Sequence, residues 1–171
     1  MPWRSRTQLG IGNAVSVPRI AVAEELAAGG GGLVLPEGAG HAFGHGASIR
    51  AINPGRFLNN CPECSIYVDD LLAGRGLRAA TDSPMITLNQ MERLVGGEFS
   101  AQMGSLSEIE AAMVEAGPGA RGIVFAHQGD IANGHYFNAV NQNGVVRLLD
   151  GQSGTGANVG LFKEFSLMRT H

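Results

Sequence analysis

The 171-residue chain is 44% hydrophobic and 16% charged, with a formal net charge of -3, which suffices for one buried core and is short for two domains. The mild acidic excess, without clustered Lys and Arg, provides no electrostatic footprint for nucleic acid or an anionic membrane. No stretch approaches the roughly 18 apolar residues of a membrane span, and no apolar run follows the basic start Met1-Pro2-Trp3-Arg4-Ser5-Arg6 that would make it a secretory signal.

Residues 1–48 read as an arm or linker that contains a short helix over Pro18–Ala28, with Pro18 suited to a first helical position and Gly29 to the stop. The run Gly29–Gly32 is no phosphate loop, because no Gly-Lys-Ser/Thr follows it. The compact domain is expected over 49–171. Ser48–Ile52 reads as a short strand before the turn residues Asn53-Pro54-Gly55. A helix then starts at Cys61: Asn60 as N-cap puts Glu63 at N3, the spacing of a capping box, with Pro62 in the first turn where its missing N–H is harmless. Cys61, Cys64, Val68 and Leu71 share its apolar face, Glu63, Asp69 and Asp70 lie off it, and Gly74 ends it. A second helix is expected over Thr87–Val95, stopped by Gly96-Gly97. A third begins at Ser105 or Ser107, with Ile109, Ala112, Met113 and Ala116 inward, and ends at Gly117-Pro118-Gly119.

The remainder reads as strands: Gly122–Ala126, His135–Asn141, Val145–Asp150 and Leu161–Leu167. Helices followed by an antiparallel sheet make the fold α+β. Asn143-Gly144 is a strong signal for a two-residue type I′ hairpin, since both central residues need positive φ. That turn pairs Gln142 with Val145 and puts His135, Phe137, Ala139, Val146, Leu148, Asp150 and Gln152 on one face, where His135 and Asp150 are diagonal neighbours. A three-residue loop would send them to opposite faces. The shared face is expected to pack against the Cys61 helix.

Cys61 and Cys64 are the only cysteines, too few for a disulfide framework, so thiol chemistry, a metal or burial must account for them. A free thiol, with a reference pKa of about 8.5, becomes nucleophilic at a helix N-terminus or beside an imidazolium, and the chain offers Cys61 both. His135 would take and return the proton, Asp150 would orient the ring, and the Cys61 N–H with the amide of Asn60 or Gln152 would meet the oxyanion. Cys64, a turn inside the helix, is expected to be a core residue. His127 and His171 are expected at the surface or terminus.

Ile52-Asn53-Pro54-Gly55, Asn60-Cys61-x-x-Cys64, Asp70-x-Leu72-x-Gly74-Arg75-Gly76, Gly134-His135-x-Phe137-Asn138 and Asp150-Gly151-Gln152-x-Gly154 together resemble the papain-fold toxin family of protein glutamine deamidases, over residues 49–154. The resemblance implies a papain-like fold, with the nucleophile at a helix N-terminus packed on a C-terminal antiparallel sheet. It implies Cys61, His135 and Asp150 as the catalytic residues and hydrolysis of a glutamine carboxamide through a thioester. It further implies no cofactor, a delivered bacterial effector acting as a monomer in a target-cell cytoplasm, a target protein bearing a reactive glutamine, and an immunity protein as second partner. A cysteine protease or transglutaminase would use the same triad, so the preference for deamidation rests on the resemblance. The non-enzyme alternative is a zinc-stabilised binding module using His41, His45, Cys61 and Cys64; it leaves the hairpin residues unexplained. A zinc nucleobase deaminase is disfavoured, because neither His41 nor His45 begins a His-x-Glu motif and Pro62 lies inside the cysteine pair.

Overall fold

The computed structural model describes residues 48–101 and 104–171. The expected Pro18–Ala28 helix, the glycine run, and His41 and His45 lie outside the described residues. Three α-helices come first: α1 (Cys61–Leu72), α2 (Leu88–Val95) and α3 (Leu106–Glu115). Five strands follow: β1 (Arg121–His127), β2 (His135–Gln142), β3 (Val145–Asp150), β4 (Thr155–Gly156) and β5 (Glu164–Arg169). They form one antiparallel sheet in the order β4-β3-β2-β1-β5, so the architecture is α+β as expected. Among the described residues no helix is long and apolar enough to cross a membrane.

Local signals account for most helix ends. Thr87 and Gln90 form a reciprocal capping box at the head of α2, and Gly96 closes that helix at φ 82°. At the end of α1 the Gly74 N–H donates to the Leu71 carbonyl and the Arg75 N–H to the Asp70 carbonyl, a Schellman closure. Two expectations fail. Ile49–Ala51 is a 3₁₀ turn, with the Ser48 hydroxyl accepting from the Arg50 N–H, where a strand was expected. Asn60 is the N-cap of α1 but makes no capping-box bond, because the Glu63 carboxylate is engaged elsewhere by Tyr67, Thr81 and Ser83.

The Asn143-Gly144 turn takes φ values of 54° and 91° and pairs Gln142 with Val145, the expected register. The surroundings of the hairpin differ from expectation. Phe137, Ala139, Val146 and Leu148 pack with Ile109 and Met113 of α3, whereas the opposite face sends Val140 and Leu149 to Cys64, Val68 and Leu71 of α1. The sheet is therefore covered on both faces, and the face carrying His135 and Asp150 meets α3. The reason is visible in β2, buried at all but its terminal positions: such a strand has no solvent face, and its alternation does not decide which helix lies where. His135 and Cys61 meet only because both stand at the ends of their elements.

Asp69, expected off the apolar face, is 4% exposed. Its carboxylate accepts from Arg121 Nε at 3.1 Å, Arg75 Nη2 at 3.0 Å and the Thr170 hydroxyl, tying α1 to the start of β1 and the end of β5. Removing one partner of a buried pair leaves an uncompensated charge at a cost of about 3–5 kcal/mol. Because Arg121 is only 15% exposed, Asp69→Ala should lose about 3 kcal/mol of stability in denaturant unfolding, with a native-like circular dichroism spectrum in buffer.

Candidate active site

The start of β2, the end of β3, the head of α1 and the segment leading into α2 converge at one end of the sheet. Cys61 is the first residue of α1, His135 the first of β2 and Asp150 the last of β3. Close backbone approach fixes two of these positions. A side chain at Gly134 would overlap the Phe125 ring, with a Cβ only 2.0 Å from Cζ, and one at Gly151 would meet Val68 Cγ2 at 2.6 Å and the Cys64 carbonyl at 3.0 Å. The glycine before the histidine and the glycine after the aspartate thus let the strand ends settle against the core and against α1.

His135 Nε2 lies 3.2 Å from Asp150 Oδ2, which leaves Nδ1 to face a second partner. The ring stacks on Phe162, with centroids 6.1 Å apart and planes 10° apart. Burial disfavours a charged imidazole, but hydrogen bonds to Asp150 and Cys61 outweigh it and push the ring up from 6.5 to about 10. Burial also opposes ionisation of Asp150; the His135 bond prevails, aided by Ser153 and the Gln152 N–H, and holds the carboxyl below its usual range. The site therefore stores an imidazolium–carboxylate pair at neutral pH.

Cys61 is 2% exposed, with Sγ 3.2 Å from Met85 Sδ. Its backbone N–H is one of the donors that a helix start leaves without an intrahelical acceptor. Cys64 behaves differently: burial above all, reinforced by the negative charge of Asp150, pushes its thiol up to about 12, so it is an inert core residue as expected.

The two amide side chains separate in role. Asn60, fully buried, donates through Nδ2 to Asn53 Oδ1 at 3.1 Å and to the Thr81 carbonyl at 2.9 Å. Both amide hydrogens are thereby used, which corrects the expectation that Asn60 could donate to an oxyanion. Its Oδ1 instead accepts from Gln152 Nε2 at 3.2 Å, and among the described residues the second Nε2 hydrogen of Gln152 has no acceptor. Asn53 completes the relay by donating to the Phe57 and Gln152 carbonyls, both at 2.9 Å.

Sequence reasoning missed the brace of Glu63 on Thr81 and Ser83, the Phe162 platform and the contact of Met85 with the thiol. Asn53 stood in a motif that was noticed without a role, whereas residues 79–86 form an irregular segment with no period to flag Met85. His127, expected at the surface, is 8% exposed; Nε2 faces Glu164 at 3.4 Å and Nδ1 accepts from the Gly129 N–H, because its position in β1 carries it inward. Among the described residues no group of three or more His, Cys, Asp or Glu is arranged to hold a metal.

The model of the family described as papain fold toxin 1, glutamine deamidase, matches residues 59–155, a span that contains Cys61, His135 and Asp150. No curated protein and no solved structure gives a match.

The charge on His135 has a definite pH signature. A folded-state value raised from 6.5 to about 10 contributes stability that is fully present below 6.5 and is lost as the pH rises through about 10. Ring-proton NMR titration should show His135 protonated at pH 8. Asp150→Asn, which removes the anion and leaves the burial, should bring its midpoint down and shrink the alkaline loss of stability that the wild type shows between those values, with the Cys61 contribution remaining.

Proposed function

The chain belongs to the papain fold toxin 1 family of glutamine deamidases, and from that premise we propose that it converts a glutamine side chain of a target protein to glutamate through a thioester on Cys61. The observation that carries the reading is the His135 imidazole, paired with Asp150 through Nε2 at 3.2 Å, at the end of the sheet where the Cys61 thiol heads α1. A nucleophile, a base within its reach and a group that orients the base are the working parts of thiol catalysis.

In this mechanism the Cys61 thiolate attacks the glutamine Cδ, and the carbonyl electrons move onto oxygen. The oxyanion is met by the Cys61 N–H and the second amide N–H of Gln152, whose Nε2 Asn60 holds in place. As the tetrahedral intermediate collapses, the proton on His135 goes to the departing nitrogen and ammonia leaves. A water then gives a proton to His135 and attacks the thioester; the second collapse expels the Cys61 thiolate beside a protonated His135, the starting pair, and the new glutamate carboxyl gives its proton to solvent. Asp150 keeps the ring in one orientation and stabilises its cationic form throughout. Metal chemistry has no part in this sequence, and no cofactor is invoked.

Family membership also supports the biological side of the proposal: a bacterial effector acting inside a target cell, with an immunity protein in the producer that covers or distorts the cleft. Proteolysis and transglutamination use the same first half-reaction, and intact-mass analysis separates them. Deamidation exchanges –NH₂ for –OH on an uncut target, proteolysis cuts the chain, and transamidation adds the mass of an amine.

Cys61→Ala should lose more than about 10⁴-fold in turnover, as removal of a nucleophile does, with the fold intact by circular dichroism. Cys64→Ala should retain turnover and lose about 1 kcal/mol or more of stability through the small cavity it leaves. Full turnover by Cys61→Ala, measured as ammonia release, would exclude this mechanism.

A further inference from the structure

We propose that Met85 is the gate of the site: it stands over the Cys61 sulfur in the resting protein, and a carboxamide reaches the thiol only when Met85 moves aside. The inference rests on the reading of Cys61 as the nucleophile and adds a step before its chemistry. A nucleophile that must meet a side chain of another protein is here 2% exposed. The atom against it is Met85 Sδ, 3.2 Å from Sγ, and Met85 is itself 38% exposed. Met85 thus separates the thiol from solvent, with its outer side wet.

The segment that carries Met85 is pinned at both ends and free between. On one side the Glu63 carboxylate accepts from the Thr81 N–H at 2.9 Å, the Thr81 hydroxyl at 3.1 Å and the Ser83 hydroxyl at 2.9 Å, and Asn60 Nδ2 donates to the Thr81 carbonyl. On the other side the buried Tyr136 hydroxyl donates to the Ile86 carbonyl at 3.1 Å. Only Pro84 and Met85 lie between these anchors, and among the described residues no hydrogen bond holds the Met85 backbone. Pro84 limits the motion of the chain, so opening falls to the Met85 side chain, whose unbranched torsions interconvert easily. The anchors are groups of α1 and β2, the elements that also carry Cys61 and His135, so the gate is built into the site.

The test is the rate at which iodoacetamide alkylates Cys61 in the intact protein, read by peptide mass. This labelling requires no deamidation, so a failure of the proposed reaction would leave the test standing. If the closed arrangement dominates and the open one is a minor state of about 10% or less, labelling is slowed by that fraction. Met85→Ala should then label Cys61 at least about tenfold faster than the wild type, while Met85→Leu, which keeps the bulk, stays near the wild-type rate. Equal rates in Met85→Ala and the wild type would overturn the gate, as would a Leu variant as fast as the Ala variant. Cys64, 1% exposed, reports folding in the same digest. Should Met85→Ala label Cys64 as well, the decision passes to Glu63→Gln, which loosens one anchor with Met85 in place: faster labelling of Cys61 alone supports the gate, and an unchanged rate refutes it.

Discussion

The molecule is organised around an imidazole held charged in a place that disfavours charge. Desolvation alone would make His135 a weak base, empty of its proton at neutral pH. The adjacent Asp150 carboxylate reverses this, and the reversal depends on geometry, because an ion pair in a partly buried site is strong only while its atoms stay within a few ångströms. Close approach of Gly134 to Phe125 and of Gly151 to α1 seats the two strand ends, and Phe162 supports the face of the ring. Pre-organisation of this sort means that the electrostatic work is done during folding rather than during the reaction.

Helix α1 connects that pair to the rest of the protein, and its polar residues matter as much as its apolar stripe. Glu63 near its head fixes the segment over the thiol, and Asp69 near its tail gathers β1 and the strand at the sheet edge through Arg121 and Thr170. Between them, Cys64, Val68 and Leu71 fill the core. The helix is thereby fixed in rotation and along its axis, and both are needed if its first residue is to present a sulfur to a ring on a different element.

What could be read from the sequence divides along the line between local and tertiary causes. The Asn143-Gly144 turn, the Thr87 cap and the pairing of His135 with Asp150 all follow from rules that operate over a few residues, and they emerged correctly. Glu63 had the spacing of a capping partner, but three donors from residues 81–83 compete for its carboxylate, and the tertiary bonds prevail. Asp69 looked like a solvated charge, since nothing nearby in sequence announces that Arg121 and Thr170 will reach it. Which helix covers which face of the sheet was hidden for a related reason. A strand buried on both sides presents two apolar faces, and its pattern carries no label for either. Met85 lay beyond reach altogether, because contact between a loop methionine and a cysteine leaves no periodic trace.

The β2–β3 turn lies at the opposite end of the sheet from the residues whose relative position it determines. Every position added to or removed from that turn is transmitted along two strands without attenuation, because the hydrogen-bond ladder between them is rigid and its side chains alternate. A single-residue insertion at Asn143-Gly144 that slips the ladder, although far from any reacting atom, would turn Asp150 away from His135 and Val146 and Leu148 away from the α3 core. Length variation during divergence should therefore be nearly absent from this exposed turn. The site thus places a constraint on indels at a surface loop where neither burial nor chemistry would lead one to look for it.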